Sequence, residues 1–240
     1  MKKETINRFV FDVDGTLTPS RSKIDKKFQE FFLTFCKSNN VYLVTGSDYA
    51  KTVEQVDNDI VMAVKRLYNC SGNDIYEKGQ NIKTSEWSLP DLAKTFLINC
   101  EYESKFTIRT GNHIEARPGM VNFSVVGRNA TTEQRAKYVA YDTFENERET
   151  IATAFNTMFT DLQATIGGET GIDIAPKGAD KSQIITDFNK DDKIYFFGDA
   201  MFEGGNDYSL SKLVSHPKAV TSWKQTWEYL TWFQEQRIAN

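Results

Sequence analysis

Histidine and cysteine are scarce in this chain, and their scarcity excludes several kinds of chemistry. His113 and His216 are the only histidines in 240 residues, so catalysis built on histidine pairs is close to excluded. Cys36, Cys70 and Cys100 are odd in number, scattered and never in a Cys-x-x-Cys pair. They argue against a disulfide framework or a structural zinc site and fit a reducing cytoplasm. No apolar run is long enough to span a bilayer. The opening stretch Met1-Lys2-Lys3-Glu4-Thr5-Ile6-Asn7 lacks the apolar core of a signal peptide, so a cytoplasmic location is expected. Neither charge sign dominates: 29 Lys and Arg against 33 Asp and Glu leave a formal net charge of −4. That balance gives no reason to expect nucleic acid or an anionic membrane as a partner. The length suffices for one large domain or two modest ones.

What is present is a run of aspartates after an apolar strand: Phe9-Val10-Phe11-Asp12-Val13-Asp14-Gly15-Thr16-Leu17-Thr18. Residues i and i+2 of a strand point the same way, so the Asp12 and Asp14 carboxylates are expected to converge. Gly15 lets the backbone turn sharply. Two carboxylates so close repel unless a cation or a proton lies between them. The arrangement suits Mg²⁺ chemistry on phosphate, with one carboxylate attacking and the other handling a proton.

Strands and helices alternate at both ends of the chain. Strands are predicted at 8–12, 41–45, 67–70 and 193–197, and helices at 25–37, from Asp48 onward, at 181–188 and at the C-terminus. Short strands are expected near 213–215 and 219–221. This alternation predicts a parallel α/β sheet. The pattern changes after a hairpin at 74–82. A helix at 89–100, strands at 105–110, 113–117 and 120–126, helices at 131–142 and 145–160, and strands at 162–166 and 171–175 read as an α+β module. The simplest architecture is a core of 1–82 plus 178–240 with a cap inserted at 83–177.

Open parallel sheets carry their reactive groups beyond the carboxyl ends of the strands. Three such ends bear suitable groups: Asp12 and Asp14; Thr45-Gly46-Ser47-Asp48; and Asp199, with Asn206 and Asp207 beyond Gly204-Gly205. A hydroxyl and free N–H groups at a helix start suit a phosphate oxygen. Lys181, at the start of the intervening helix, can neutralise an intermediate's negative charge.

Asp12-Val13-Asp14-Gly15-Thr16, Thr45-Gly46-Ser47, Asp180-Lys181 and Gly198-Asp199…Gly204-Gly205-Asn206-Asp207 resemble the four ordered motifs of the haloacid-dehalogenase (HAD) superfamily. Within it, the run from Asp12 to Arg21, Gly46-Ser47-Asp48-Tyr49 with Glu54-Gln55, Ile114 through Asn122 and Gly127-Arg128 are similar to the eukaryotic-type phosphomannomutase family. The resemblance covers nearly the whole chain. It implies a HAD-like Rossmannoid core with an inserted α+β cap. It also implies Mg²⁺-dependent exchange of mannose 6-phosphate and mannose 1-phosphate, primed by a hexose 1,6-bisphosphate and feeding GDP-mannose biosynthesis. A homodimer through the cap is a further implication.

By that resemblance Asp12 is the nucleophile that becomes an aspartyl phosphate, and Asp14 is the general acid/base. Mg²⁺ is held by the Asp12 side chain, the Asp14 backbone carbonyl and Asp199, with Asp207 close behind. Ser47 and Lys181 hold the transferring phosphoryl group. Arg117, Arg128 and Arg135 match the family's cap arginines, which bind the distal phosphate; Arg21 matches a core arginine facing the same cleft. Asp173 matches a carboxylate that contacts sugar hydroxyls. Two positions depart from the family: Gly171 replaces a serine that contacts the distal phosphate, and Cys70-Ser71-Gly72-Asn73-Asp74 replaces a loop that usually reads Glu-Asn-Gly. Both bear on sugar preference and on hydrolysis. A sugar-phosphate phosphatase of the same fold is the alternative enzyme. A non-catalytic phosphosugar-binding protein and a phosphorelay receiver are alternatives of other classes. Taken residue by residue, Asp173 alternates with Ile172 and Ile174 and would sit equally well on a solvated face.

Overall fold

A computed structural model describes residues 6–238, with side chains to 236; the N-terminal reading of Met1–Thr5 falls outside the described residues. The chain forms β1 (Asn7–Phe11), α1 (Lys26–Ser38), β2 (Asn40–Val44), α2 (Tyr49–Val56), α3 (Asn58–Ala63), β3 (Arg66–Asn69), β4 (Asp74–Glu77) and β5 (Gln80–Thr84). Then come α4 (Asp91–Glu103), β6 (Ile114–Arg117), β7 (Met120–Phe123), α5 (Thr132–Glu145), α6 (Glu147–Met158), β8 (Leu162–Gly167) and β9 (Gly171–Pro176). A 3₁₀ segment (Lys181–Asp187), β10 (Lys193–Gly198), α7 (Tyr208–Ser211), β11 (His216–Ala219) and α8 (Trp223–Ile238) complete it. No helix among the described residues is long and apolar enough to cross a membrane.

Seven strands form the main sheet in the order β11-β10-β1-β2-β3-β4-β5. The pairs from β11 to β3 are parallel, while β4 and β5 return antiparallel as an edge hairpin. The central strands are apolar because helices cover both faces. On one face Phe28, Phe32 and Phe35 of α1 meet Phe9, Phe11 and Leu230. Asp25 starts α1 by accepting from the Lys27 and Phe28 N–H groups, which otherwise lack partners. Trp223 and Trp227 of α8 pack on this core, whereas Trp232 is exposed.

A second, antiparallel sheet has the order β6-β7-β9-β8 and its own apolar core with α4, α5 and α6. It meets the main sheet's side through a small buried cluster of Cys70 with Met120 and Ala175, and through hydrogen bonds. Arg117 Nη1 donates to the Gly46 carbonyl at 2.6 Å, and the Ile166 N–H donates to the Gly204 carbonyl at 3.0 Å.

Four local expectations differ from the structure. Residues 105–110 alternate like a strand but form none. The Arg109 side chain there donates to the Glu101 carbonyl at 2.7 Å and the Ser104 carbonyl at 3.2 Å, tying the segment to the end of α4 instead of a sheet edge. The strand expected over 120–126 stops at Phe123, because Ser124–Gly127 turns. The two short strands near 213–215 and 219–221 are one strand, β11. The helix expected at 181–188 is 3₁₀, opened by Asp180, which accepts from the Ser182 N–H at 2.8 Å.

Candidate active site

β1, β2 and β10 are neighbours, so the segments that follow them share one end of the sheet. Asp12 follows β1 directly and is buried. Lys181, wholly buried, reaches it from the 3₁₀ segment: Nζ donates to Asp12 Oδ1 at 2.6 Å and to Asp207 Oδ1 at 2.7 Å. Oxygens of Asp12, Asp199 and Asp207 all lie within 4.8 Å of one another. Gly15, at φ +79°, makes room for this group; a Cβ there would lie 2.2 Å from Asp199 Oδ2.

The charges in this group are strongly perturbed. Burial pushes the Asp12 carboxyl well above the usual range, against the pull of Lys181 and with the push of Asp207 and Asp199. Burial alone would depress Lys181, but Asp12 and Asp207 outweigh it and hold the ammonium protonated. Asp199 is open to water through the cleft yet ringed by protein. That ring, with Asp207 and Asp14 and against Lys181, pushes its carboxyl up to about 7; the water in the cleft screens part of this shift. The all-oxygen donor set, crowded enough to hold protons, fits a hard divalent cation such as Mg²⁺.

Asp14 lines the same cleft as Asp12. Its carboxylate lies outside the three-aspartate group and is held by its own donors. The Arg21 N–H and Gln55 Nε2 donate to Oδ1 at 2.7 and 2.9 Å, and Ser47 Oγ donates to Oδ2 at 3.4 Å. Of the metal-ligand expectations, Asp12, Asp199 and Asp207 therefore meet through carboxylates, while Asp14 has only its backbone carbonyl to offer.

One cleft joins this group to the second sheet; Asp12, Asp14, Ser47 and Asp199 line one end, and Arg21, Arg117, Arg128, Arg135, Gly171 and Asp173 belong to its wall. Asp173 is buried in the cleft and not on a solvated face, accepting from Asn122 Nδ2 at 2.7 Å. The face opposite Ile172 and Ile174 is polar because it faces the main sheet across the cleft. Glu115 binds Arg117 and, at 3.1 Å, Arg128; burial would raise its carboxyl, but both guanidinium groups outweigh burial and hold it low. Burial would depress Arg117 too, but Asp173 and Glu115 hold it up.

Cations outnumber their partners at this end. Arg21 is depressed to about 10 by burial, then by Arg128 and Arg135. Arg128 is depressed by burial, then by Arg117. Lys51 is depressed by burial, then by Arg21 and Arg128. Among the described residues, the Arg21 and Lys51 side chains make no hydrogen bond or close ion pair, and Arg128 Nε is buried without a partner. Such a group is completed by an anion, and planar guanidinium forks match phosphate oxygens. Lys51, Asn122 and Glu169 line the cleft without having been singled out from sequence. Lys51 lies in the first turn of α2, after Ser47-Asp48, and this adjacency was the only local signal.

A carboxylate group with a buried lysine at the ends of a parallel sheet, faced by an arginine-lined α+β layer, has the layout of HAD-like proteins. Solved structures place the fold there. The C-terminal domain of a Candida albicans trehalose-6-phosphate phosphatase aligns at TM-score 0.61 and 15% identity, covering 88% of this chain and 74% of that one. A haloacid dehalogenase-like hydrolase from Bacteroides thetaiotaomicron aligns at 0.53 and 14%, covering 92% of each chain. Sequence narrows the class. The family profile described as Eukaryotic phosphomannomutase matches residues 28–231. A phosphomannomutase of Encephalitozoon cuniculi is 34% identical over 221 residues, 88% of this chain and 86% of its own length. One of Arabidopsis thaliana is 33% identical over 227 residues, 89% of this chain and 90% of its own. The chain belongs to the eukaryotic phosphomannomutase family.

Proposed function

We propose that this protein is a phosphomannomutase that converts mannose 6-phosphate and mannose 1-phosphate through an aspartyl phosphate on Asp12, primed by a hexose 1,6-bisphosphate. Family membership supports the activity. The observation that carries the mechanism is one cleft with two unlike ends, a carboxylate–lysine group and an arginine group. A phosphatase needs only the first. A mutase must hold a hexose phosphate in either orientation, and that requires a second phosphate site away from the nucleophile.

The Asp12 carboxylate attacks phosphorus, and the bond from phosphorus to the sugar oxygen breaks. Asp14, held by Gln55 and the Arg21 N–H, gives its proton to that oxygen. A hexose monophosphate then presents its free hydroxyl to the phosphorylated Asp12; Asp14 takes that proton as the oxygen attacks phosphorus, which forms the 1,6-bisphosphate and frees the Asp12 carboxylate, and the bisphosphate, turned around, returns its other phosphoryl group to Asp12. Lys181 faces the transferring group with a charge that its burial between two aspartates preserves. Ser47 lies beside Asp14 and offers a hydroxyl to the same oxygens. Asp12, Asp199, Asp207 and the Asp14 carbonyl would hold Mg²⁺, which lowers the charge on the phosphoryl oxygens when bound. Residues 83–177 serve as the cap, and their arginines Arg117, Arg128 and Arg135, with Arg21 and Lys51 from the core, grip the distal phosphate. The backbone at Gly171 faces the same phosphate, and Asp173 accepts from sugar hydroxyls.

A ³¹P NMR time course with Mg²⁺, mannose 1-phosphate and a trace of bisphosphate tests this reading. The expected result is growth of the mannose 6-phosphate signal, abolished in Asp12→Ala. Release of inorganic phosphate without mannose 6-phosphate would establish the phosphatase instead.

A further inference from the structure

The turn between β8 and β9, residues 167–171, lines the arginine end of the cleft. Arg135, largely buried on α5, sends both terminal nitrogens into it. Nη1 donates to Thr170 Oγ1 at 3.0 Å, and Nη2 donates to Glu169 Oε2 at 2.9 Å. The two partners differ. Thr170 is buried, 1% exposed, whereas the Glu169 side chain is 49% exposed and free to swing outward. The turn itself is anchored: the Gly168 carbonyl accepts from Arg148 Nη1 at 2.9 Å, and Arg148 is held by Asp142 at 2.7 Å. The Ile166 N–H binds the Gly204 carbonyl of the core. Movement of Glu169 therefore need not disturb the backbone that carries it.

Gly171 belongs to the same turn. A Cβ there would lie 2.6 Å from Asn122 Nδ2, so the space a serine would take is filled by Asn122. This turn thus offers the distal phosphate no side-chain hydroxyl at 171, and at 169 it presents a carboxylate to the guanidinium that would bind that phosphate. Glu115 and Asp173, the other carboxylates at this end, are deeper and more firmly tied. Glu169 is the anion there that can leave most easily.

The geometry points to Glu169 as a built-in competitor for the distal phosphate. It neutralises Arg135 in the free enzyme, yields Nη2 to the incoming phosphate, and returns as the phosphate leaves. This lowers the affinity for the distal group and favours its release, which a mutase requires whenever its bisphosphate must turn around. Thr170 is a positioning residue that keeps Arg135 aimed in both states. The inference rests on the hexose-phosphate reading above.

Isothermal titration of the full protein in EDTA, where no turnover occurs, with mannose 6-phosphate and separately with inorganic phosphate, tests it. Glu169→Gln keeps the shape and removes the charge. It should bind mannose 6-phosphate roughly two- to five-fold more tightly than wild type, the size expected for loss of a half-exposed ion pair. The gain should shrink in high salt, KM should fall, and kcat should not rise. Thr170→Val should weaken binding instead. If wild type binds and Glu169→Gln binds equally or more weakly, Glu169 is merely a support for Arg135 and the inference fails. If neither protein binds mannose 6-phosphate, the hexose-phosphate reading fails and takes this inference with it.

Discussion

Asp12 and Asp14 are adjacent in the motif and opposite in their surroundings. Asp12 faces an ammonium and two carboxylates; Asp14 faces an amide, a hydroxyl and a backbone N–H. Asp12, Ser47 and Asp199 were legible because they follow the ends of apolar strands, and Lys181 and Asp207 because they complete the ordered motif set. Lys51 and Glu169 were not, since their roles arise only when a helix start and a distant turn are folded onto one cleft. The raised carboxyls of Asp12 and Asp199 carry a testable consequence for pH. Between the unfolded carboxyl value of about 4 and the folded value of about 7 at Asp199, the native protein binds more protons than the unfolded chain. Their contribution to stability is full below that window and is lost as pH rises through it. In EDTA, the melting temperature of wild type should therefore fall more steeply from pH 5 to pH 7 than that of Asp199→Asn. Added Mg²⁺, which replaces the protons, should flatten the difference. Parallel curves for the two proteins in EDTA would count against the raised carboxyl.

At the scale of elements, the starts of α1 and α2 were legible in side-chain chemistry. Asp25 and Asp48 announce α1 and α2 because a short acidic side chain before an apolar run satisfies the free N–H groups. Residues 105–110 misled because alternation cannot reveal that Arg109 will turn back onto the carbonyls at the end of α4. The most consequential helix start is that of α5. Thr131 and Gln134 form a reciprocal capping box there, and Arg135 follows Gln134 in the first turn. Fraying of that turn would move the guanidinium away from the cleft. Thr131→Ala should cost about 1 kcal/mol of stability in urea denaturation. It should also raise KM for hexose phosphate while leaving kcat nearly unchanged, because Arg135 lies at the binding end, away from the transfer chemistry. A lowered kcat with constant KM would place the effect elsewhere.

At the scale of the whole molecule, the parallel core and the α+β layer were foreseeable from two kinds of periodicity, but the few bonds between them were not. The bond from Ile166 to Gly204 is a main-chain contact that leaves no trace in side-chain pattern. Arg117 is the exception, since one guanidinium serves both layers: it binds Glu115 within the second layer and the Gly46 carbonyl, in the loop after β2, within the core. It thus couples the arginine end of the cleft to the loop beside Asp14. In the proposed reaction, a junction held shut by Arg117 would keep water from phosphorylated Asp12, where water competes with the sugar hydroxyl as the attacking group. Arg117→Ala removes the junction while leaving Asp12, Asp14, Lys181 and Asp199 in place; Glu115 keeps Arg128 as its partner. Overall turnover should fall, and the share of phosphoryl groups lost to water should rise. The measurement is the ratio of inorganic phosphate released to mannose 6-phosphate formed, followed by ³¹P NMR under identical conditions for both proteins. A several-fold higher ratio in the variant means that the cap governs the choice between mutase and phosphatase outcomes. An unchanged ratio with weaker substrate binding would confine Arg117 to gripping phosphate and leave water exclusion to the contact between Ile166 and Gly204.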